Sequence, residues 1–241
     1  MRRAELPATV CVAGRDLPVI AVRHPAARAI KLRANAALGV VQISLPPRGG
    51  VAEALKLLAS HQGWLAAQVA KWPAPRPIHP GASIPFDGGE LLIDWRPTHP
   101  RSPVRRDDRL EIGGPEALLA ARTLRWLQAE ALADLTSSTR RLAAIVAREV
   151  ACVRIGDPRG RWGSCAAPRA GEAARIAYSW RLMLAPAFVR DNVVAHEVAH
   201  LVHHNHGPAF HALHASLDPH TPATKRWLAR HGAALHWVGR K

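Results

Sequence analysis

The chain has 241 residues, enough for one large domain or one and a half smaller ones with a real apolar core. Hydrophobic residues make up 48% and charged residues 21%, proportions that fit a globular protein and exclude an intrinsically disordered one. The net charge of +15 is spread over both halves, with 16 basic and 9 acidic residues in 1–114 and 17 and 9 in 115–241, so it marks a basic surface rather than one patch.

The opening MRRAELPATVCVAG has two arginines but no apolar stretch behind them, unlike a secretory signal. No later run approaches the roughly 20 apolar residues that cross a bilayer. Cys11, Cys152 and Cys165 form no CxxC pair, and a reduced cytoplasm is the expected compartment. Residues 1–50 read as short strands, with β-branched runs at Ile30–Leu32 and Val40–Leu45. Val51–Trp72 switches to helical spacing, with Pro73 as its stop. A proline-rich crossing comes next, then strands at Leu91–Trp95 and Arg109–Ile112. From Pro115 an Ala/Leu/Arg-rich stretch predicts one long helix or two consecutive ones. Strands at Cys152–Ile155 and Arg175–Leu184 come after it, with the loop GDPRGRWGSCAAPRAGEA between them. APAFVRDNVVAHEVAHLVHH predicts a further helix with Pro186 near its start, and a last helix runs from about Ala223 to His231. No repeat recurs at a fixed period. The expected class is α+β, with a β-rich module at 1–114 and a second domain at 115–241.

The chemistry lies in HEVAHLVHHNHGPAF, residues 196–210. A helix turns about 100° per residue, so His196 and His200 fall roughly 40° apart on one face and can close on one ion. Glu197 points off that face, where it reaches a water on the ion without using a coordination position, as a general base must. Neutral imidazoles with a position left open are the usual design of a catalytic zinc site. At this chain's own composition about 0.03 HExxH matches are expected by chance. A His-rich helix packed on a core is the competing reading, but a Glu and two His amid VVAHEVAHLV would need partners there. His206 becomes a third ligand only if the helix stops and the chain turns back, which Asn205, Gly207 and Pro208 favour. His203, His211 and His214 are the weaker alternatives.

These residues resemble the HExxH-x5-H signature of the YgjP-like metallopeptidase family, a relative of the SprT-like and WLM-type zinc peptidases. RWGSC at 161–165 matches a second element of that family, and RIAYSWRLMLAPA at 175–187 resembles its strand leading into the zinc helix. The resemblance implies a zincin-like C-terminal domain, its HExxH helix packed on a short sheet. It also implies Zn2+ held by His196, His200 and His206, and Glu197 as base. Two departures concern substrate preference: His211 stands where members often carry an aromatic residue, and YSWRL stands for a strand closer to LNWRL.

The expected activity is thus that of a zinc hydrolase that cleaves polypeptides with a Glu-activated, zinc-bound water. Tyr178, the only tyrosine, is a candidate oxyanion contact, although a lone Tyr is more often structural. Arg161 is a candidate for a carboxylate or phosphate of the substrate, and Cys165 reads as a small packed thiol. Two other functions compete. A UTP-type nucleotide pyrophosphatase would use the same metal and base, but no Gly-rich phosphate loop or acidic magnesium cluster accompanies them. A protease acting on DNA-bound proteins would use the net charge, which leaves nucleic-acid contact open, but no zinc finger or helix-turn-helix signature is present.

Overall fold

The computed structural model describes residues 6–48, 50–166 and 174–240. It divides into two compact units, Met1–Ala74 and Pro75–Lys241.

In the first unit β1 (Thr9–Val12), β2 (Arg15–Arg23), β3 (Lys31–Asn35) and β4 (Val40–Leu45) form one sheet in the order β1-β2-β4-β3. β2 and β4 run parallel, and the outer pairs are antiparallel. Ala13 and Gly14 join β1 to β2 with φ of 50° and 76°, the primed turn whose twist suits a two-residue hairpin. Alternation along β4 turns Val41, Ile43 and Leu45 inward. The expected single helix is two, α1 (Val51–Ser60) and α2 (Gln62–Val69), because His61 leaves helical geometry at φ −110° and ψ 20°. Ala54, Leu58, Leu65 and Val69 complete a core with the β4 residues. Trp64 of α2 is 42% exposed.

The second unit opens with β5 (Ser83–Phe86), β6 (Gly89–Trp95), β7 (Val104–Arg106) and β8 (Arg109–Ile112), ordered β5-β6-β8-β7. β6 and β8 are parallel and the outer pairs antiparallel. Asp87 and Gly88 form the first turn with φ of 49° and 81°. The chain therefore uses one four-strand plan twice, although its sequence shows no fixed period. The domain boundary expected at 114 falls inside this unit. Ile84, Leu91, Ile93, Leu110 and Ile112 share one core with Leu127, Leu135 and Val194, so the sheet belongs with the helices C-terminal to it.

After a 3-10 turn, α3 (Leu119–Ile145) buries Leu119, Leu127, Ala131, Leu135 and Leu142 along one face. β9 (Val150–Gly156), β10 (Gly163–Ala166) and β11 (Ala174–Ser179) form a sheet ordered β10-β11-β9, with β11 parallel to β9 and antiparallel to β10. Part of the expected RWGSC loop is thus strand, and its residues 167–173 lie outside the described ones. Residues Trp180–Leu184 form a 3-10 turn rather than a strand extension. Then come α4 (Ala187–Ala199), α5 (Pro208–Leu217) and α6 (Thr221–Leu235). Arg181 is buried and ties this region together. It forms a two-point pair with Asp157 (Nε–Oδ1 2.6 Å, Nη2–Oδ2 3.1 Å) and donates through Nη1 to the carbonyls of Leu235 (2.6 Å) and Val238 (3.2 Å). The architecture is α+β, and no helix of the described residues is long and apolar enough to cross a membrane.

Candidate metal centre

α4 is buried along most of its length. Val189, Val193, Val194, Ala195, Val198 and Ala199 are buried, so the helix runs through the core, with Arg190, Asp191 and Asn192 in its first half and His196 and Glu197 near its C-terminal end. It stops at His200, whose N–H still bonds the His196 carbonyl at 3.3 Å. Residues 201–207 reverse the chain, and Pro208, at the first position of α5 where its missing N–H costs nothing, restarts it as a helix.

That reversal carries His206 back onto the end of α4. Ring nitrogens of His196, His200 and His206 all lie within 4.8 Å of one another. His196 Nε2 and His206 Nε2 are 3.2 Å apart. Two nitrogens at ordinary zinc–imidazole lengths on a tetrahedral ion stand about 3.4 Å apart, so the spacing suits a shared ion. His200 donates Nδ1–H to the His203 carbonyl at 3.0 Å. A carbonyl only accepts, so the bond fixes the tautomer and leaves the Nε2 lone pair free. Burial, and then the neighbouring histidines, push the His196 pKa down to about 4, and burial lowers His200 too, so both rings stay neutral as ligands must be. The donor set fits a divalent ion that accepts nitrogen ligands.

Phe210 supports all three rings from one side. It is 1% exposed, and its centroid lies 5.0 Å from that of His196, 4.6 Å from His200 and 4.7 Å from His206. His203 contributes a carbonyl and not its ring, and His214 donates Nε2–H to the Asn192 carbonyl at 3.1 Å, so both stand outside the nitrogen cluster.

Glu197 is buried beside the cluster. Burial pushes its pKa up to about 7, against the opposing pull of the Arg161 guanidinium and a bond from the Cys165 N–H. Gly163 explains how the carboxylate fits. A β-carbon there would lie 2.5 Å from Glu197 Oε1, closer than such atoms come, so β10 passes the acid only because it has no side chain at that point. RWGSC thus acts on Glu197 chiefly through its backbone. The Cys165 thiol, its pKa raised to about 11 by burial and then by Glu197, stays protonated near neutrality. Trp162 stacks on His236 at 5.2 Å, and its carbonyl accepts from the Ser179 N–H at 2.9 Å.

Tyr178 is not brought to the histidines. Its side chain is buried on β11, and its hydroxyl pairs with Thr139 of α3 at 2.9 Å. Arg161 lies on a recess of about 500 Å³ together with His196, Glu197 and His206. Trp162, Phe210, Asn192, Thr224, Lys225 and Leu228 also line it, and α6 contributes the last three. Sequence reasoning missed the packing of Phe210 on the three rings, the room that Gly163 leaves for Glu197, and this contribution of α6.

A family model described as "YgjP-like, metallopeptidase domain" matches residues 28–231, and both RWGSC and HExxH fall within it. The chain belongs to this family. No curated protein and no solved structure gives a significant match. As a YgjP-like metallopeptidase domain the chain is, in general terms, a metal-dependent peptidase, and the His cluster is a group able to hold the metal.

Proposed function

We propose that this YgjP-like domain is a zinc peptidase in which His196, His200 and His206 hold the ion and Glu197 is the acid–base group. The supporting observation is the convergence of three imidazoles beside a buried glutamate at the mouth of an open recess. Zinc bound there would supply a Lewis acid that polarises a scissile carbonyl and acidifies water in the recess. The Glu197 carboxylate takes a proton from water as that water attacks the carbonyl, and returns it to the departing amine. A pKa raised by burial and restrained by Arg161 lets one carboxyl serve both steps. Gly163 and the Cys165 N–H hold that carboxylate in place. Phe210 and Leu228 keep water from one wall, while exposed His206 leaves the cleft open to an extended chain.

The test uses wild type and Glu197→Gln, with and without chelator, on an unfolded polypeptide, on UTP and on a DNA-crosslinked protein, with zinc content measured in parallel. Polypeptide cleavage is expected to fall by about 10²- to 10⁴-fold in the variant with zinc retained. His196→Ala and His200→Ala should lose the ion. Cleavage of UTP but of no polypeptide would refute the peptidase reading, and polypeptide cleavage at wild-type rate by Glu197→Gln would remove the role of the base.

A further inference from the structure

The recess beside the histidines has a chemical bias that the reaction does not require. Its lining carries two cations, Arg161 from the segment before β10 and Lys225 from the second turn of α6, and one acid, Glu197, already engaged in proton transfer. Among the described residues neither cation forms a salt bridge. Asp218, the residue that ends α5, is engaged elsewhere: its Oδ1 accepts from Asn192 Nδ2 at 2.9 Å and from the His220 N–H at 2.7 Å.

The first turn of α6 adds to the bias. Thr221 and Thr224 face the recess with Lys225, so the positive end of a 15-residue helix lies along its wall. The donors there are few. Position 222 is proline and has no N–H, the His220 N–H goes to Asp218, and Thr224 N–H bonds the His220 carbonyl at 2.8 Å. A phosphate needs donors for three oxygens, commonly from a run of backbone N–H groups, whereas a carboxylate is satisfied by one or two cationic side chains.

We propose that this recess is a carboxylate-selecting subsite, with Lys225 and Arg161 receiving an anionic group next to the bond to be cut. The group is the side chain of an Asp or Glu, or the free carboxylate of a chain end. The inference rests on the peptidase reading and specifies its substrate: acidic peptides, drawn in by a protein of net charge +15.

The experiment uses a cleavage site mapped by mass spectrometry on an unfolded polypeptide. Peptides with Glu, Gln or Lys beside the scissile bond are compared, along with a pair ending in a free acid or an amide. Wild type should prefer Glu to Gln by about tenfold in kcat/KM, mostly through KM. Lys225→Ala should bring that ratio close to one, and Lys225→Glu should turn it in favour of Lys. Discrimination of Glu from Gln identifies a side-chain source, and discrimination of acid from amide identifies a chain end. Calorimetric binding of the same peptides to Glu197→Gln protein separates the two readings. Lys225-dependent binding of Glu peptides without any cleavage by wild type keeps the subsite and removes the peptidase. Equal treatment of Glu and Gln, or a preference untouched by Lys225→Ala, overturns the subsite. So does Lys225-dependent binding of UTP in place of peptide.

Discussion

At the scale of single residues, the histidines that cluster were legible and the surroundings of Glu197 were not. His196 and His200 follow from helical periodicity, and His206 from the turn residues on either side of it, because both are rules of local geometry. Gly163 and Phe210 act through space, and neither announces itself in a sequence read without its partners. Gly163 offers the sharper experiment. Replacing its hydrogen with a methyl group 2.5 Å from Glu197 Oε1 must displace the carboxylate or the strand. Gly163→Ala is expected to lower kcat by about 10- to 100-fold while zinc content stays at the wild-type level, since misplacing a catalytic group by about 1 Å costs that much. A steady-state assay with metal analysis decides it, and an unchanged kcat would mean that β10 yields freely. Tyr178 teaches the opposite lesson: a lone tyrosine on the right strand has its hydroxyl on Thr139, inside the core.

At the scale of elements, long periodic segments are plain in the sequence and short ones are not. α3, α4, β4 and β8 appear close to where periodicity puts them, the last two with the expected bounds. β5, β7 and β10 escape because four residues or fewer, including Pro85, Gly163 and Ser164, carry almost no β-branched signal. α5 escapes for a different reason: Gly207 and Pro208 break one helix, and they also begin the next. The end of α6 makes a prediction about pH. His236, directly after that helix, is 4% exposed, its Nδ1 has no hydrogen-bond partner, and burial and then Arg181 push its pKa down to about 4. A pKa below the ordinary 6.5 means the unfolded chain takes up the proton first. The stability tied to the neutral ring is therefore intact above pH 6.5 and drains away as pH falls toward 4. His236→Phe keeps an aromatic ring against Trp162 and cannot ionise. In denaturant unfolding at pH 7.5 and 4.5, the variant should lose less stability than wild type on acidification, by on the order of 1–2 kcal/mol. Parallel losses in the two proteins would show that the ring is not held neutral.

At the scale of the whole molecule, composition and motifs point to the class and the family, but not to the partition. The boundary expected at residue 114 rests on a change in composition, whereas the compact units divide after Ala74, where one apolar cluster ends and another begins. Every residue proposed for catalysis lies in Pro75–Lys241. Two separate cores predict two transitions in calorimetry, and chelator should lower only one of them, because an ion stabilises the unit that binds it. At a free zinc concentration 100 times its Kd the difference is about 2.7 kcal/mol. A single transition, or two that shift together, would show that the units unfold as one. The repeated strand plan carries a cost during synthesis and refolding. Two sheets with the same order and the same strand directions offer each other plausible wrong neighbours, so a half-folded chain can dock β2 where β6 belongs and stall. Their unlike side chains are what keeps the copies apart.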